Sequence, residues 1–401
     1  MTAAPEVRVP VEGDRQAMVD VMQVSLNFSD AWAARRGPLL PIEDFRCAYE
    51  DGVLKATAAG HRFRQRFGGR SMAMSGIFGV ATLPEHRASG LASAAVTQVL
   101  REARAEGMVL SALYPAVLRP YRKLGFELAG SYATHRLPLD AIPSDLGADL
   151  PPVTEMDLDR DLEGIKACYL RWIAPHNGPF EPQNDAWWTT RILAPGIEGQ
   201  SRFVVVRGPE GTIDGYAAFS YKPVAGRLDV DYGLSCSSLA ATTDPALRAL
   251  LAYFRGFRGV GVWVEWPGAP ADPISLLIPE QRITTPFSFA WMLRLLDVAG
   301  AFAQRGYPPI DAEAVIAVAD PLLPENAGPW RITVKNGVAE VTSEPVVGVR
   351  PIPIGAISAM FSGYLRLPDA VRQGHLDAGD PAVDTLALML DGPDPWLPFF
   401  F

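Results

Sequence analysis

The chain has 401 residues, 48% hydrophobic and 20% charged, with a formal net charge of −9 and an isoelectric point near 5.2. That length suits two or three domains of roughly 150 residues each, and the composition is that of a globular protein with a sizeable core. It contains no run of about 18 apolar residues that a membrane helix needs, and its acidic balance argues against bulk binding of nucleic acid. The acidic excess suits solubility and would also attract a cationic small molecule. The opening Met1-Thr-Ala-Ala-Pro-Glu6 lacks a basic stretch followed by an apolar one, so no signal peptide is expected. Cys47, Cys168 and Cys236 are scattered, as are the five histidines, so no metal site is expected. The thiols read as inert groups in a reducing cytoplasm.

Taken in chain order, the first informative element is Ile77 to Leu83, a mostly apolar run that reads as a buried strand ended by Pro84. The turn Arg87-Ala-Ser-Gly90-Leu-Ala92 follows. From Gly90 to Glu106 the period is helical, with Ala92, Val96, Val99 and Ala103 on one face and Gly107 as C-cap. Met108 to Leu113 reads as a second buried strand. A strand feeding a small-residue turn and a helix start suits a phosphate or pyrophosphate, because the first helical N–H groups and the helix dipole point at the turn. A tight turn that merely packs helix against strand would use the same residue types. Tyr121-Arg-Lys-Leu-Gly125-Phe126 comes next, and then a Pro-, Gly- and Asp-rich linker from Asp140 to Pro152.

Beyond the linker, Asp157 to Trp172 reads as a helix. Arg202–Arg207, Gly215–Tyr221, Leu228–Tyr232 and Val260–Glu265 read as strands, with a helix over Asp244–Phe257 between the last two. Trp291–Val298 is expected as a strand and Ala299–Arg305 as a helix. Ala312–Ala319 and Trp330–Val334 follow as strands, the second turning through Lys335-Asn336-Gly337 into Val338–Thr342; Asn-Gly between β-rich runs is a hairpin signal. Ile354–Tyr364 and Val383–Leu390 look helical. The last six residues include Trp396, Leu397, Phe399, Phe400 and Phe401, an end that should be buried rather than frayed. A plain hydrophobic anchor would account for it on composition alone.

Arg87-x-x-Gly90-x-Ala92, followed about thirty residues later by Tyr121-x-x-x-Gly125-Phe126, resembles the GNAT (GCN5-related) N-acetyltransferases. The resemblance implies that the turn holds the pyrophosphate of acetyl-CoA, that the strand around Phe78 to Thr82 pairs with the pantetheine arm, and that Tyr121 protonates the departing thiolate. The helix-then-strands order of the middle third repeats that of the first, with neither the turn nor the tyrosine motif. It reads as a second, cofactor-free copy, or as an unrelated α+β domain. The full layout is similar to the Eis (enhanced intracellular survival) family: an α/β (α+β) chain of tandem GNAT folds plus a C-terminal domain resembling sterol carrier proteins. The expected domains are 1–145, 150–290 and 291–401.

The Eis resemblance implies further roles. Acetyl-CoA would be the co-substrate, with no metal, held by Phe78, Val80, Thr82, Arg87, Ser89, Gly90 and Leu91. The α-carboxylate of Phe401 would be the general base and Tyr121 the general acid. Asn27-Phe-Ser-Asp30 resembles a substrate segment, which makes Asp30 and the nearby Trp32 pocket candidates, although a helix cap and a core tryptophan explain them as well. Where relatives carry several arginines before the turn glycine, this chain has Arg87 followed by Ala88-Ser89, so the cofactor would be held more by backbone than by charge. The implied reaction is acetylation of primary amines on cationic multi-amine small molecules such as aminoglycosides, by a hexameric cytoplasmic enzyme without nucleic-acid or membrane partners. The rival readings are an acyltransferase of protein lysines or secondary metabolism, and a lipid- or CoA-binding protein with a vestigial acetyltransferase domain.

Overall fold

The computed structural model describes residues 5–182, 184–193, 201–226, 230–343, 345, 349–377, 379 and 381–401. In chain order it opens with β1 (Glu6–Arg8), α1 (Arg15–Leu26), α2 (Asp30–Arg36), β2 (Phe45–Glu50), β3 (Val53–Phe67), β4 (Arg70–Thr82), α3 (Leu91–Ala105), β5 (Leu110–Leu113), α4 (Arg119–Lys123) and β6 (Glu127–Pro138). The middle holds β7 (Val153–Glu155), α5 (Leu158–Ile173), β8 (Phe180–Glu181), α6 (Asp185–Trp187), β9 (Ser201–Arg207), β10 (Ile213–Pro223), β11 (Tyr232–Ala241), α7 (Asp244–Arg255) and β12 (Gly261–Gly268). The last part has β13 (Thr284–Leu295), α8 (Val298–Gln304), β14 (Ala312–Ala319), β15 (Gly328–Lys335), β16 (Val338–Ser343), β17 (Pro351–Pro353), α9 (Ile354–Ser362), α10 (Leu367–Arg372) and α11 (Pro381–Met389).

Two compact units result. One joins Met1–Ala129, Trp291–Asp391 and Phe401; the other is Gly130–Ala290 with Gly392–Phe400. In the first, β1 to β4 form an antiparallel run, β5 joins β4 in parallel, and Met292–Leu295 of β13 pairs with β5. Helix α3 covers this sheet with Ala95, Val96, Val99, Leu100 and Ala103, all packed against Ala58, Ile77, Leu113, Met292 and Leu296. Its C-terminus closes as a Schellman motif: Met108 N donates to Ala103 O and Gly107 N to Arg104 O, with Gly107 at φ +84°. A second sheet, β16-β15-β14-β17, completes the unit. Its hairpin turns through Asn336 (φ +46°) and Gly337 (φ +80°), the positive-φ pair that an Asn-Gly turn supplies.

In the second unit β6, β12, β11, β10, β9 and β7 pair in that order. Its β11–β12 contact is parallel, like β4–β5. Two apolar clusters lie in it, one including Leu250, Phe254 and Trp266, the other Ile165, Tyr169 and Trp188. The terminal segment is stitched in by main chain: Ser131 N donates to Pro395 O, Leu397 N to Ser131 O, and Trp396 N to Asn177 O. Trp396 and Leu397 are fully buried, so the apolar ending is a packed element.

Several elements differ from the sequence reading. The strand expected at Ile77–Leu83 is the second half of a long hairpin with β3. The one expected at Leu228–Tyr232 lies partly outside the described residues, and the strand there runs from Tyr232 to Ala241 instead. It is set by its long antiparallel register with β10, against the low β-propensity of Gly233 to Ser238. The strand expected at Trp291–Val298 is Thr284–Leu295, because Val298 opens α8 under an Asp297 cap that accepts from Gly300 N at 3.1 Å. Residues 1–4, on which the expectation of no leader partly rests, lie outside the described set. Among the described residues no helix is long and apolar enough to cross a membrane. All three cysteines are buried and unpaired, and burial pushes the Cys47 and Cys168 thiols up to about 12.

Candidate active site

The parallel pairing of β4 with β5 ends at Ile77–Leu113, while β4 runs on to Thr82. That onward stretch is irregular. Gly79 and Val80 fall outside the ladder register between Ala59–Phe78 and Thr57–Ala81. Gly79 sits at φ +59°, and its carbonyl accepts from the Thr57 hydroxyl at 2.7 Å. A bulge with glycine in the left-handed region re-aims the backbone beside it. Thr82 O in turn accepts from Ser25 Oγ of α1 at 2.8 Å.

After β4 the chain makes the turn that leads into α3. Ala88 (φ +65°) and Gly90 (φ +92°) are both left-handed, and no heavy atom lies within 4 Å of where a Gly90 Cβ would stand. Gly90 is the N-cap and offers no side chain, the first helical N–H, of Leu91, donates to Ser89 Oγ at 3.4 Å, and the first turn holds no acidic residue. Ser89 Oγ donates to His86 O at 2.7 Å, so its proton holds the turn. His86 Nδ1 lies 3.1 Å from Glu50 Oε2. Arg87 is exposed.

A cavity of about 520 Å³ opens over this turn. Val80, Thr82, Arg87, Ser89, Gly90 and Leu91 line it, together with Tyr121 of α4. Ser25, Val117 and Pro120 line it too, and none of these was singled out from sequence. A bulged strand edge, an open helix N-terminus with a glycine cap and a narrow apolar flank fit an extended chain carrying a pyrophosphate. Phe78 stands apart from this lining. Its ring stacks on His61 at 3.6 Å and meets Phe45 edge-on at 5.2 Å. His61 Nδ1 is 3.6 Å from Asp44 Oδ2.

Tyr121 is half-buried, edge-on to Phe126 at 6.2 Å, and burial pushes its hydroxyl up to about 12. It therefore stays protonated through the neutral range. A thiol near 8.5 would leave about three to four units between donor and acceptor, so full transfer to a free thiolate is uphill by roughly 5 kcal/mol. The burial of this tyrosine is what separates the two. The motif glycine, Gly125, has φ +84°, and a Cβ there would overlap Arg294 Nη1 at 1.7 Å. That space lets the fully buried Arg294 donate to Leu124 O at 2.6 Å while its other Nη pairs with Asp320 at 2.7 Å.

Phe401 lies in the same unit, on the sheet face beyond the cavity. Its ring packs 5.5 Å from Phe63 and 5.2 Å from Tyr114. The strand beneath is Gly76, whose Cβ would stand 2.9 Å from both the Phe401 and Phe63 rings. Trp32 stacks on Phe28 at 4.2 Å beside the cluster that contains Phe45, with Phe78 on the same rim. Asp30 is exposed in the first turn of α2 and accepts from Gln23 at 3.1 Å, while Ser29 is the cap. Thus Val80, Thr82, Arg87, Ser89, Gly90, Leu91 and Tyr121 converge on one cavity, while Phe78, Phe401, Trp32 and Asp30 lie outside its lining.

Models of known families match three stretches: an acetyltransferase (GNAT) domain over residues 6–129, a second over 182–295, and a sterol carrier protein domain over 298–398. An uncharacterized N-acetyltransferase of Streptomyces griseus is 26% identical over 375 residues, covering 88% of each chain. Among solved structures, a GCN5-related N-acetyltransferase from Anabaena variabilis superposes with a TM-score of 0.91 at 24% identity, covering 99% of this chain and 100% of that one. Eis1 from Mycobacterium abscessus superposes with a TM-score of 0.82 at 22% identity and the same coverage.

Proposed function

Because this chain is a GNAT N-acetyltransferase with the three-part Eis architecture, we propose that it transfers acetyl groups from acetyl-CoA to primary amines of cationic, multiply aminated small molecules such as aminoglycosides. The observation that carries this reading is the cavity that brings Val80, Thr82, Arg87, Gly90 and Leu91 together with Tyr121. The pyrophosphate sits on the α3 N-terminus, and the pantetheine arm runs along the bulged edge of β4. We further propose three domains over 1–145, 150–290 and 291–401, with acetyl-CoA bound by the first alone.

The chemistry needs a base, because an alkyl ammonium cannot attack a thioester. The α-carboxylate of Phe401 takes the ammonium proton, directly or through water, and its charge also draws in the cation. The freed amine forms the new C–N bond and gives up its second proton as the intermediate collapses, which restores the Tyr121 hydroxyl after that hydroxyl has protonated the sulfur. The backbone N–H at the Val80 bulge meets the developing oxyanion, and the C–S bond breaks. With its hydroxyl near 12, Tyr121 acts first as a hydrogen-bond donor to the departing sulfur and yields its proton only as charge builds there. The aromatic face of Phe63, Phe78 and Trp32 lines the acceptor's approach, and Asp30 attracts it from the rim. A hexamer in the cytoplasm completes the proposal, with scattering mass as its test.

The deciding experiment is release of free thiol from acetyl-CoA across a panel of aminoglycosides, polyamines and lysine peptides. Turnover with the small amines supports this reading, turnover with peptides alone favours the protein-lysine reading, and no thiol release with any amine overturns the enzyme. The base is tested separately. A C-terminal Gly-Ser extension, which moves the carboxylate off Phe401, should cut kcat at least about a hundredfold. An extension that leaves kcat intact removes Phe401 from the mechanism. Gly76→Ala should act in the same direction more weakly, because its methyl displaces the Phe401 ring.

A further inference from the structure

A second cavity within the first unit is larger than the one over the α3 turn. It measures about 680 Å³ and lies on the far side of the Tyr121–Phe126 segment, where that segment faces α9 and α10. Leu124 lines both cavities, so the stretch that carries the proposed proton donor is a partition between them. Nothing in the proposed transfer uses this second space.

Its lining has two parts. Leu322, Ile354, Ala359 and Leu365 form an apolar floor. Most of its charges cancel: Arg122 makes a double hydrogen bond to Glu127, Arg294 pairs with Asp320, and Asp369 pairs with Arg372. One cation and one unpartnered donor remain. Lys123 is exposed at the rim and has no hydrogen bond or ion pair among the described residues. Buried Arg294 leaves its Nε without a partner. The nine-residue helix α9 also starts at the cavity with Ile354, Gly355 and Ala356 and has no side-chain cap, so its positive end adds to the same sign.

An apolar floor of this size with uncompensated positive charge at one end selects an amphipathic monoanion. We infer that this cavity is a second ligand site, for an alkyl carboxylate whose chain lies on the Leu322–Ile354–Leu365 floor and whose head meets Lys123 and the α9 N-terminus. The site is independent of the acetyl-transfer reading and stands or falls by binding alone.

The test is calorimetric titration of the full chain with octanoate. Saturable binding of one equivalent is expected, with hexanoate weaker by roughly tenfold, since two methylenes leave the floor. Lys123→Glu should lose roughly tenfold or more in affinity by placing a like charge at the head, and Leu365→Trp, at a half-exposed position, should lose as much by filling the floor. Octylamine should not bind, and saturating CoA should leave octanoate binding in place. Displacement by CoA would move octanoate into the other cavity and overturn the inference. Equal affinities for octanoate and hexanoate, unchanged affinity in both variants, or no binding up to the solubility limit would overturn it too. Unaltered circular dichroism of the variants excludes unfolding as the cause of a loss.

Discussion

The two helices that follow the acetyltransferase-type strands, α3 and α7, begin in opposite ways. At α3 the cap is Gly90 at φ +92°, with open space above it and no acid in the first turn. At α7 the Thr243 hydroxyl accepts from Ala246 N at 3.4 Å, Pro245 occupies the first turn without an N–H, and Asp244 pairs with Arg248 at 2.6 Å. A helix start leaves donors and a positive dipole end that something must satisfy. At α7 a proline and an acid add to the threonine cap, whereas at α3 only the Ser89 hydroxyl accepts, from Leu91 N at 3.4 Å, and in the proposed function a ligand takes the remaining donors. The same strand–helix step is kept in both places with different residues at the cap, and in the proposed function those residues decide which of the two takes the anion.

The sharpest break of this comparison lies at Tyr121, whose motif the second domain lacks. Tyr121→Phe should lower kcat by about a hundredfold or more while KM for acetyl-CoA stays within about twofold, because the ring still lines the cavity and only the donor is lost. A joint fall in affinity and rate would make it a packing residue. The pH profile reads the same group. A hydroxyl held near 12 is protonated on both sides of neutrality, so kcat/KM should show no falling limb from Tyr121 below about pH 10. A falling limb near pH 9 that disappears in Tyr121→Phe would refute the raised value.

The next effect is at the open cap. Gly90→Asp gives α3 the acid that α7 already has. No atom obstructs its Cβ, and aspartate tolerates the left-handed conformation better than most residues. A carboxylate beside the pyrophosphate should raise KM for acetyl-CoA by roughly thirtyfold, about 2 kcal/mol, with kcat changed far less. An unchanged KM would mean that the helix start is not where the phosphates lie.

How much of this was legible in the residues depended on how local the signal was. The period of α3 and the Gly107 stop are contained in seventeen residues, and the Asn336-Gly337 hairpin in a dozen; both stand where the pattern puts them. The long β3 strand was not legible, because Lys55, His61, Arg62, Arg64 and Arg66 break its apolar run while Gln65 is fully buried. Its alternation of Phe63 and Phe67 with polar neighbours was the available signal. That Val80 to Leu91 and Tyr121 share a cavity was within reach, since a turn and a short helix carry them. The Phe401 bed was out of reach, because Gly76, Phe63 and Tyr114 meet only through strand pairing. The Gly125–Arg294 contact links positions 169 apart, and a glycine in a turn gives no hint of the guanidinium that needs its space.

The smallest effect belongs to the closed cap. Thr243→Ala removes the oxygen that accepts from Ala246 N, a long contact at 3.4 Å, so the loss should fall near the low end for a cap, about 0.5–1 kcal/mol. For a unit of this size that is a fall of about 1–4 °C in the melting transition that carries it. Pro245 and Asp244 stay in place, and with them the missing N–H and the repelling charge. Removing the threonine should therefore open no new anion site, and titration of the variant with acetyl-CoA should still give one equivalent. A second equivalent would show that the threonine alone had kept that helix closed, and the difference between the two domains would then reduce to a single hydroxyl.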